Sequence, residues 1–403
     1  MIEILPFLLA VLLGILAGTF TGLAPGIHIN LVATFLTSST LLAFLGGIPP
    51  LALAAFVASM AIAHSFLDLI PSIYLGAPEE DSFLAVLPGH ELLLKGKGHE
   101  AVVLTLYGSM FALLVILLFT PIFLLFLPII QEKIQNIIPY LLLFISFTII
   151  FCSNKPQTAL IIFALSGFLG ELTFSLPIKE PLLPLLTGLF GTSALLISIK
   201  QKVSLPKQTT HSLKQIPIIN KEVFKGALTS VLVAPLCSFL PGIGSGHAAT
   251  LGSELVPQTR KSFLVLLGAI NTIILGLSFT ALFAIEKTRT GAAAAVDILL
   301  PQKELSSLVY LLLAMALASI ISFYLGVSLS KLFAKNINKI NYSKLSIAIL
   351  ILLFTLVALL SNFQGILVLL TGTAIGVFCI SSNVQRINLM GCLLVPTILY
   401  YLV

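Results

Sequence analysis

Long apolar runs alternate with short polar stretches along the whole of this 403-residue chain. A membrane-spanning helix needs about 20 mainly apolar residues, and most of the runs reach or approach that length. In the first half of the chain the pattern predicts helices at 4–24, 27–47, 50–75, 100–129, 137–152, 157–174 and 182–199. In the second half it predicts helices at 222–240, 243–255, 262–285, 305–333, 345–361, 364–381 and 387–402.

The two halves present their elements in the same order. Each begins with a helix that ends at Pro-Gly, and continues with a second piece, a third helix, a polar loop, a long fourth helix and three shorter segments. This order predicts an all-α polytopic membrane protein with two structural repeats, built on Pro-Gly-broken helices or re-entrant hairpins. The first transmembrane repeat covers 1–199 and the second covers 222–403, with a basic cytoplasmic linker, 200–221, between them.

The basic residues predict how the repeats are oriented. The linker carries five lysines and the loop near 331–344 carries four, so the positive-inside rule places both on the cytoplasmic side. If the pieces around each Pro-Gly form a hairpin, the loop 76–99 lies inside, its counterpart 286–304 lies outside, and the repeats are inverted. Seven full crossings per repeat would also invert them, and both arrangements stay open. The other basic residues that the helix count places inside are Lys95, Lys97, Lys155, Arg260, Lys261 and Arg386.

Composition supports a multi-pass protein of the plasma membrane. Of the residues, 58% are hydrophobic and 9% are charged, whereas a soluble domain carries about 25% charged residues. The net charge of +6 lies in short loops, which indicates orientation rather than nucleic-acid binding. The sequence has no GxxxxGK[ST] loop for ATP, no zinc-ligand spacing among its four cysteines and no nucleophile elbow. We therefore expect neither enzyme activity nor a tightly bound cofactor.

A glycine-proline segment at 20–28 returns at 238–247, each time between apolar runs and each time with a histidine after the Pro-Gly. Proline removes a backbone donor, and glycine tolerates conformations that end a helix. Such a break survives in a bilayer where protein or a water-filled cavity satisfies the freed backbone groups. Matching breaks in two halves indicate a transporter binding site, and a helix that starts there favours a carboxylate or phosphate. The alternative is a pair of proline kinks with glycines for close helix packing.

The two breaks supply the candidate substrate-binding residues. Their small residues let the backbone approach an anion, and their hydroxyl and amide groups add contacts to it. The two histidines either bind the substrate, relay a proton or hydrogen-bond a neighbouring carbonyl. The candidate substrate-binding residues are Thr21, Pro25, Gly26, His28, Asn30, Pro241, Gly242, Gly244, Ser245 and His247, with Thr250 as a further hydroxyl.

The third helix of each repeat supplies candidate ion-coupling residues. These are His64, Ser65 and Asp68 in the first repeat, and Asn271 and Thr272 in the second. His64 and Asp68 are four residues apart, so they share a helix face. Because an acid is costly at bilayer depth, Asp68 either binds Na⁺, carries a proton, pairs structurally with His64, or lies shallow enough to be solvated. The first two alternatives make Na⁺ or H⁺ the coupling ion.

A polar loop follows the third helix of each repeat. The loop 76–99 is either a solvated connection or a pore-mouth segment that packs over the site and moves with it. In its counterpart, 286–304, Lys287 and Arg289 either meet an anionic substrate or pair with Glu286.

The order and spacing of three glycine-proline motifs resemble one family of membrane transporters. The motifs are Gly14-x3-Gly18-x3-Gly22-x2-Pro25-Gly26, then Leu240-Pro241-Gly242-Ile243-Gly244, and Gly76-x-Pro78 leading through Leu87-Pro88-Gly89 to Lys95-Gly96-x-Gly98. They resemble the large membrane subunit of tripartite tricarboxylate transporters, the TctA family, and the short chain is similar to its compact archaeal-type branch. The resemblance implies a carboxylate importer that is driven by an ion gradient and works with a small membrane subunit and an extracytoplasmic, periplasmic binding protein.

Together these features favour a secondary transporter of a small organic anion, a di- or tricarboxylate, that works by symport and alternating access. The alternative is a flippase for a lipid-linked phosphate or lipid headgroup, because the same helix ends suit phosphate. A membrane-embedded enzyme or a scaffold forms a third class, which the scattered acids do not favour. The expected partners are the anionic substrate, the lipid bilayer and the two subunits above. A homo-oligomer is left open, and no nucleic acid is expected.

Overall fold

The computed structural model describes residues 4–24, 47–75, 86–135, 137–151, 153–178, 181–200, 206–216, 220–238, 244–337 and 342–402. Every regular element within these residues is a helix. In the first half they are α1 (Ile4–Leu23), α2 (Pro50–Leu67), α3 (Leu69–Leu75), α4 (Val86–Leu94), α5 (Gly98–Gln135), α6 (Ile138–Phe151), α7 (Pro156–Ser175), α8 (Leu182–Leu186), a π-helical turn (Thr187–Thr192) and α9 (Ser193–Lys200). In the second half they are α10 (Lys221–Cys237), α11 (Ser245–Leu255), α12 (Arg260–Ile285), α13 (Gly291–Leu299), α14 (Leu305–Asn336), α15 (Tyr342–Leu360), α16 (Asn362–Ser381), a 3₁₀ turn (Arg386–Met390) and α17 (Gly391–Leu402).

Seven helical spans in the described part of the chain are long and apolar enough to cross a bilayer, with α2 and α3 counted as one. The other spans are α1, α5, α7, α12, α14 and α16. Many large apolar side chains on these helices are exposed, as lipid-facing residues must be. The chain is therefore an all-helical, multi-pass membrane protein, as the sequence predicts.

The observed helices match the predicted ones to within a few residues, with three differences. The helices α5 and α14 are longer than predicted, and α4 and α13 are extra short helices within the two polar loops. The segment predicted at 182–199 contains the π-helical turn, which periodicity does not distinguish from an α-helix. The segment predicted at 27–47 lies outside the described residues, apart from its last position.

Two glycine seams, in which glycines of one helix lie against a neighbouring helix, set the packing of α1 on α2 and of α12 on α5. Helix α1 packs on α2 with Gly14 against Phe56 and Gly22 against His64, a spacing of eight residues on both helices. Helix α12 packs on α5 with Gly268 against the backbone of Thr105 and Gly276 against Ile116. Because contacts advance in the same direction along both partners, each pair is parallel. Small residues at a seam allow backbones to approach closely, as between helices in membranes.

Helices α10 and α11 form an antiparallel hairpin. Gly226 near the start of α10 lies against α12 at Ser262, so α10 and α12 run in parallel. Helix α11 then runs back along α10, since Gly252 contacts Val233 and the Gln258 amide donates to Thr229 Oγ1 at 3.0 Å. Helix α11 has 11 residues, which is too few to span a bilayer. This geometry supports the hairpin alternative for the second repeat.

The helices sort into two bundles. The core bundle contains α1–α5 and α10–α14, and the flanking bundle contains α6–α9 and α15–α17, so each draws on both halves of the chain. Helices within a bundle pack extensively on one another. Among the described residues, the largest helix–helix contact between the bundles is a small one between α3 and α15, where Leu75 meets a cluster that includes Ile349 and Leu353.

One face of the molecule collects the helix ends that carry basic residues, and we call it the basic face. At the start of α12, Arg260 pairs with Glu91 on α4, and Lys261 pairs with Glu100 near the start of α5. At the flanking bundle, the Lys155 ammonium donates to the Ser382 carbonyl at 2.8 Å, four residues before the 3₁₀ turn. The sequence placed these basic residues on one side, and the structure brings them together. The cytoplasmic orientation of this face stays a prediction.

The linker packs against the basic face. Helix α9 ends at Lys200 and α10 begins at Lys221. Within the described part, the buried Gln208 amide donates to the Leu93 carbonyl at 2.9 Å, and its oxygen accepts from the Gly98 N–H at 2.9 Å. We call residues 206–216 the linker strap. These bonds fasten it across the turn between α4 and α5.

Candidate functional site

A cluster of buried polar side chains lies where α1, α2 and α12 meet, and we call it the polar centre. Asp68 has no exposed surface and stands between α2 and α3, in a 26-residue span that is mainly apolar. Asn271 and Thr272 lie close to the middle of the 26-residue α12. The polar centre therefore lies in the interior of the core bundle, shielded from solvent, and its depth in the bilayer stays a prediction.

The polar centre joins the two halves of the chain directly. The Asn271 side-chain amide donates to Asp68 Oδ2 at 3.2 Å. Three residues earlier on α2, the Ser65 hydroxyl lies 3.3 Å from the Thr272 hydroxyl. The third helix of each repeat thus meets its counterpart through the side chains that sequence analysis selected as ion-coupling residues.

The end of α1 completes the polar centre. The Thr21 hydroxyl lies 3.0 Å from His64 Nδ1, and both side chains are buried. The Gly18 seam brings α1 close enough for this contact, because a Cβ at Gly18 would meet the Met60 carbonyl. A candidate substrate-binding residue and a candidate coupling residue are therefore in contact, one turn before the first Pro-Gly break.

The chemistry of the polar centre suits a proton or a small monovalent cation. It holds one carboxylate, Asp68, bonded to the Asn271 amide, with the Ser65 and Thr272 hydroxyls paired next to them along the same two helices, and oxygen ligands suit hard cations. Nowhere in the described residues do three or more His, Cys, Asp or Glu side chains gather as a metal site would require. A carboxylate inside a membrane can also carry a proton, as in the proton relays of pumps and transporters.

The structure describes part of the candidate substrate site. Thr21 lies in the polar centre, and Gly244 and the buried Ser245 lie at the start of α11. His247 and Thr250 lie on α11, and their side chains are outside the described part. The remaining candidates, Pro25, Gly26, His28, Asn30, Pro241 and Gly242, lie outside the described residues altogether.

The residues that flank the second break lie near the depth of the polar centre. Gly226 on α10 is level with Ser262 and Val265 on α12. Because parallel helices advance by about 1.5 Å per residue, the end of α10 reaches the level of about Ile274. That level is about one turn beyond Asn271.

Both polar loops contain packed helices. In the first, Leu93 of α4 is fully buried and Gly89 lies directly against Ile73 of α3. Helix α4 is therefore packed against α3, and a role over the substrate site with movement stays a prediction. In the second, the Thr290 hydroxyl caps α13 by accepting the Ala293 N–H at 3.1 Å.

Within the described part of the chain, Arg289 in the second polar loop has no acidic partner. Within the described part of the chain, neither Lys287 nor Arg289 pairs with Glu286, so that alternative is wrong there. Burial lowers the pKa of Arg289 to about 10, with the nearby Tyr401 acting in the opposite direction. Since this value is well above neutral, the guanidinium stays charged.

A second polar feature, which the sequence analysis missed as a site, is a cleft of about 580 Å³ between the two bundles on the basic face. We call it the basic-face cleft. Arg386 lines it from the flanking bundle and Arg260 lines it from the core bundle. Sequence reasoning treated both as orientation signals. The sequence signal that could have indicated this site is Arg386, which stands directly before the apolar segment 387–402.

Comparison with known proteins identifies relatives over nearly the whole chain. The model of the tripartite tricarboxylate transporter TctA family matches residues 8–391. An uncharacterized protein of Methanocaldococcus jannaschii is 30% identical over 414 aligned positions, which cover 98% of this chain and 99% of the relative. No solved structure matches the chain.

Proposed function

Because the chain belongs to the tripartite tricarboxylate transporter TctA family, we propose that it is an ion-gradient-driven secondary transporter of a small organic anion, a di- or tricarboxylate. Membership makes the chain a component of a transporter, and therefore not an enzyme by family. The family is the large membrane subunit of tripartite systems that work with a small membrane subunit and a periplasmic binding protein. The substrate, the coupling ion and alternating access are the parts that we propose.

One observation carries the proposal: a fully buried carboxylate, Asp68, bonded across the repeats to Asn271. Ionisable groups inside a membrane are costly and mark ion or proton pathways. A cation or proton that binds Asp68 neutralises it and relieves that cost. Binding there therefore changes the stability of the contact between the repeats, which is what coupling to a conformational change requires.

We place the anion next to this cation, at the two Pro-Gly breaks. In the sequence the first break comes four residues after Thr21, which contacts His64 of the polar centre. The second follows α10, which ends about one turn beyond the depth of Asn271. Helix ends at such breaks attract carboxylates, and unwound carbonyls beside them attract cations. An anion and a cation held together partly neutralise each other, which lowers the cost of moving both through lipid.

The direction of the helices supports alternating access. Helix α10 starts on the basic face, at the contact between Glu222 and Thr259. Helix α1 runs parallel to α2 and α3, whose far end reaches the basic face where Tyr74 donates to the Ser330 carbonyl at 3.1 Å. Helix α1 therefore starts from the opposite face. Equivalent helices that enter from opposite faces support the inverted repeat, and such repeats transport by moving one unit against the other.

Uptake of labelled carboxylates by proteoliposomes tests the proposal. Purified chain, alone and with its two partner subunits, is reconstituted under an inward Na⁺ gradient, an inward H⁺ gradient or no gradient. We expect one gradient to drive accumulation of a di- or tricarboxylate, and the matching ionophore to abolish it. Failure to accumulate any carboxylate under any gradient with all three subunits present contradicts the proposal. Scrambling of labelled phospholipid in the same vesicles would favour a flippase.

A further inference from the structure

The basic-face cleft has the features of an anion site. It has a volume of about 580 Å³ and is open at the basic face, between the core and flanking bundles. Small-molecule pockets are typically about 300–1,000 Å³. Beside its two arginines, its polar lining comes from hydroxyl and amide side chains, which are Ser253, Gln258, Thr259 and Gln385. One carboxylate, that of Glu91, lines it as well.

Arg386 is the charge that sets the character of the cleft. Its guanidinium donates to the Phe190 carbonyl and lies 5.5 Å from the centre of the Phe190 ring. Its Nε is buried and has no hydrogen-bond partner among the described residues. No carboxylate in the described part pairs with Arg386. A buried guanidinium without an acidic partner is costly, and a bound anion would offset that cost.

The π-helical turn positions this arginine. A π turn widens the helix and interrupts its regular hydrogen bonding, and such turns occur often at functional sites. Phe190 lies in this turn, with its carbonyl accepting from Arg386 and its ring beneath the guanidinium. The arginine is thus held by one amino group and one ring face, while its Nε keeps no hydrogen-bond partner among the described residues. Arginine suits carboxylates because its planar donors bind them bidentately.

Arg260 on the other side of the cleft differs because it is already paired. It forms a salt bridge with Glu91, and its side chain is more than half exposed. Gln258 contributes a buried side-chain oxygen without a hydrogen-bond partner in the described part, next to these residues along the same lining. An anion bound to Arg386 through one carboxylate can therefore bind Arg260 through a second carboxylate only by competing with Glu91.

We propose that the basic-face cleft is a binding site for a small anion with two or more carboxylates, with Arg386 as its main ligand and Arg260 as a second, gated by Glu91. The choice of a carboxylate ligand rests on the proposed function, while the existence of the anion site rests on the cleft. Because the core and flanking bundles each supply one arginine, an anion bound there links the two bundles. The cleft is then where the transported anion rests at the basic face.

A single-tryptophan reporter tests this site directly. The chain has no tryptophan, so Phe263→Trp, in the cleft lining, reports ligand binding without background. The full chain is placed in phosphatidylcholine nanodiscs and titrated with citrate, succinate, acetate or inorganic phosphate. We expect saturable changes with citrate and succinate, and weak ones with acetate. Phe168→Trp, on an exposed part of α7, should not respond.

Variants of the reporter identify the ligands. Arg386→Gln should raise the citrate Kd by at least about tenfold, since bonds to charged groups contribute that much. Arg386→Lys should lie between, because it keeps the charge and loses the planar donors. Glu91→Gln should lower the Kd, because it releases Arg260. Lys207→Gln, which removes an exposed charge from the same face, should leave the Kd within about twofold.

Several outcomes would overturn the proposal. One is an unchanged citrate Kd in Arg386→Gln, and another is weaker binding in Glu91→Gln. A saturable response to phosphate but not to carboxylates would assign a different ligand, and a response only to anionic lipid in the nanodisc would assign a lipid headgroup. If Arg386→Gln unfolds, Glu91→Gln and Arg386→Lys still decide the question. Citrate binding in the cleft without carboxylate uptake would contradict only the transport proposal. Carboxylate uptake without citrate binding in the cleft would contradict only the proposal that the cleft is an anion site.

Discussion

At the residue scale, the proposed coupling mechanism depends on the hydrogen bond between Asp68 and Asn271. Asp68 has no exposed surface, and Asn271 has 4% exposed surface. Removing the partner of such a buried polar group destabilises the protein by more than the net contribution of the hydrogen bond, because the desolvation of the remaining group is no longer compensated. The pair also joins helices of different repeats, so it stabilises the arrangement of the whole core bundle.

A double-mutant cycle tests this contact. Asn271→Ala should lower the free energy of unfolding by about 1–3 kcal/mol, since it removes a donor from a buried carboxylate. The double variant Asp68→Ala/Asn271→Ala should be destabilised by less than the sum of the single variants, because the residues share one interaction. Thermal unfolding in detergent measures both. Strict additivity would show that the residues do not interact.

At the element scale, the fold depends on close approach of α1 to α2. An added Cβ at Gly18 would meet the Met60 carbonyl and approach the Ala63 Cβ to 2.7 Å. Neither neighbour is the flexible end of a side chain, so the helices must separate. Such separation would also weaken the contact between Thr21 and His64, which lies one turn further along.

Gly18→Ala should therefore destabilise the protein by about 1–3 kcal/mol, the usual cost of overpacking. The matched control is Gly47→Ala, because a Cβ at Gly47 would meet no atom within 4 Å. Thermal unfolding of both variants, measured in the same detergent, makes the comparison. Equal stability of the two variants would argue against a tight α1–α2 seam.

The linker strap is a second element with a testable role. Gln208 joins the strap to both sides of the turn between α4 and α5, through the Leu93 carbonyl and the Gly98 N–H. Gln208→Ala should release the strap and speed both amide exchange and protease cleavage within 206–216. Lys207→Ala, at the exposed neighbouring position, serves as the control. Identical cleavage rates in the two variants would contradict a fastened strap.

At the scale of the whole molecule, transport by the mechanism proposed here requires movement between the two bundles. A cross-link tests this in a background without the four native cysteines. Leu75→Cys with Ile349→Cys joins the bundles where they touch, and oxidation should abolish uptake until reductant is added. Thr120→Cys with Thr280→Cys lies within the core bundle, where the two hydroxyls are 3.1 Å apart, and its oxidation should preserve uptake. Full activity of the oxidised Leu75→Cys/Ile349→Cys protein would rule out movement at that contact.

Much of this architecture could be predicted from the sequence, for physical reasons. Lipid imposes long apolar helices, so their number and bounds follow from hydropathy. A charged residue inside such a helix is costly, so Asp68 and its counterpart Asn271 could be selected in advance. Their contact with each other is seen only in the structure, because a shared order of elements does not fix which helices pack together.

The basic-face cleft could not be predicted in this way. It is formed by Glu91, Phe190, Arg260 and Arg386, which belong to four separate helical elements in two bundles. No local pattern relates positions so far apart. The π-helical turn that holds Phe190 is likewise invisible to periodicity, since one wider turn hardly changes the order of apolar residues.

Gradient-driven citrate uptake by Asp68→Asn proteoliposomes, compared with Asp297→Asn, tests the central claim most directly. Asn keeps the size of Asp68 and removes its charge, whereas Asp297 forms a partly exposed ion pair with Lys303 at 2.8 Å. Both variants should unfold at temperatures close to that of the unmodified protein. We predict that citrate uptake by Asp68→Asn no longer responds to a Na⁺ or H⁺ gradient, whereas uptake by Asp297→Asn still does. Normal gradient-driven uptake by Asp68→Asn would show that this carboxylate is not where the coupling ion binds.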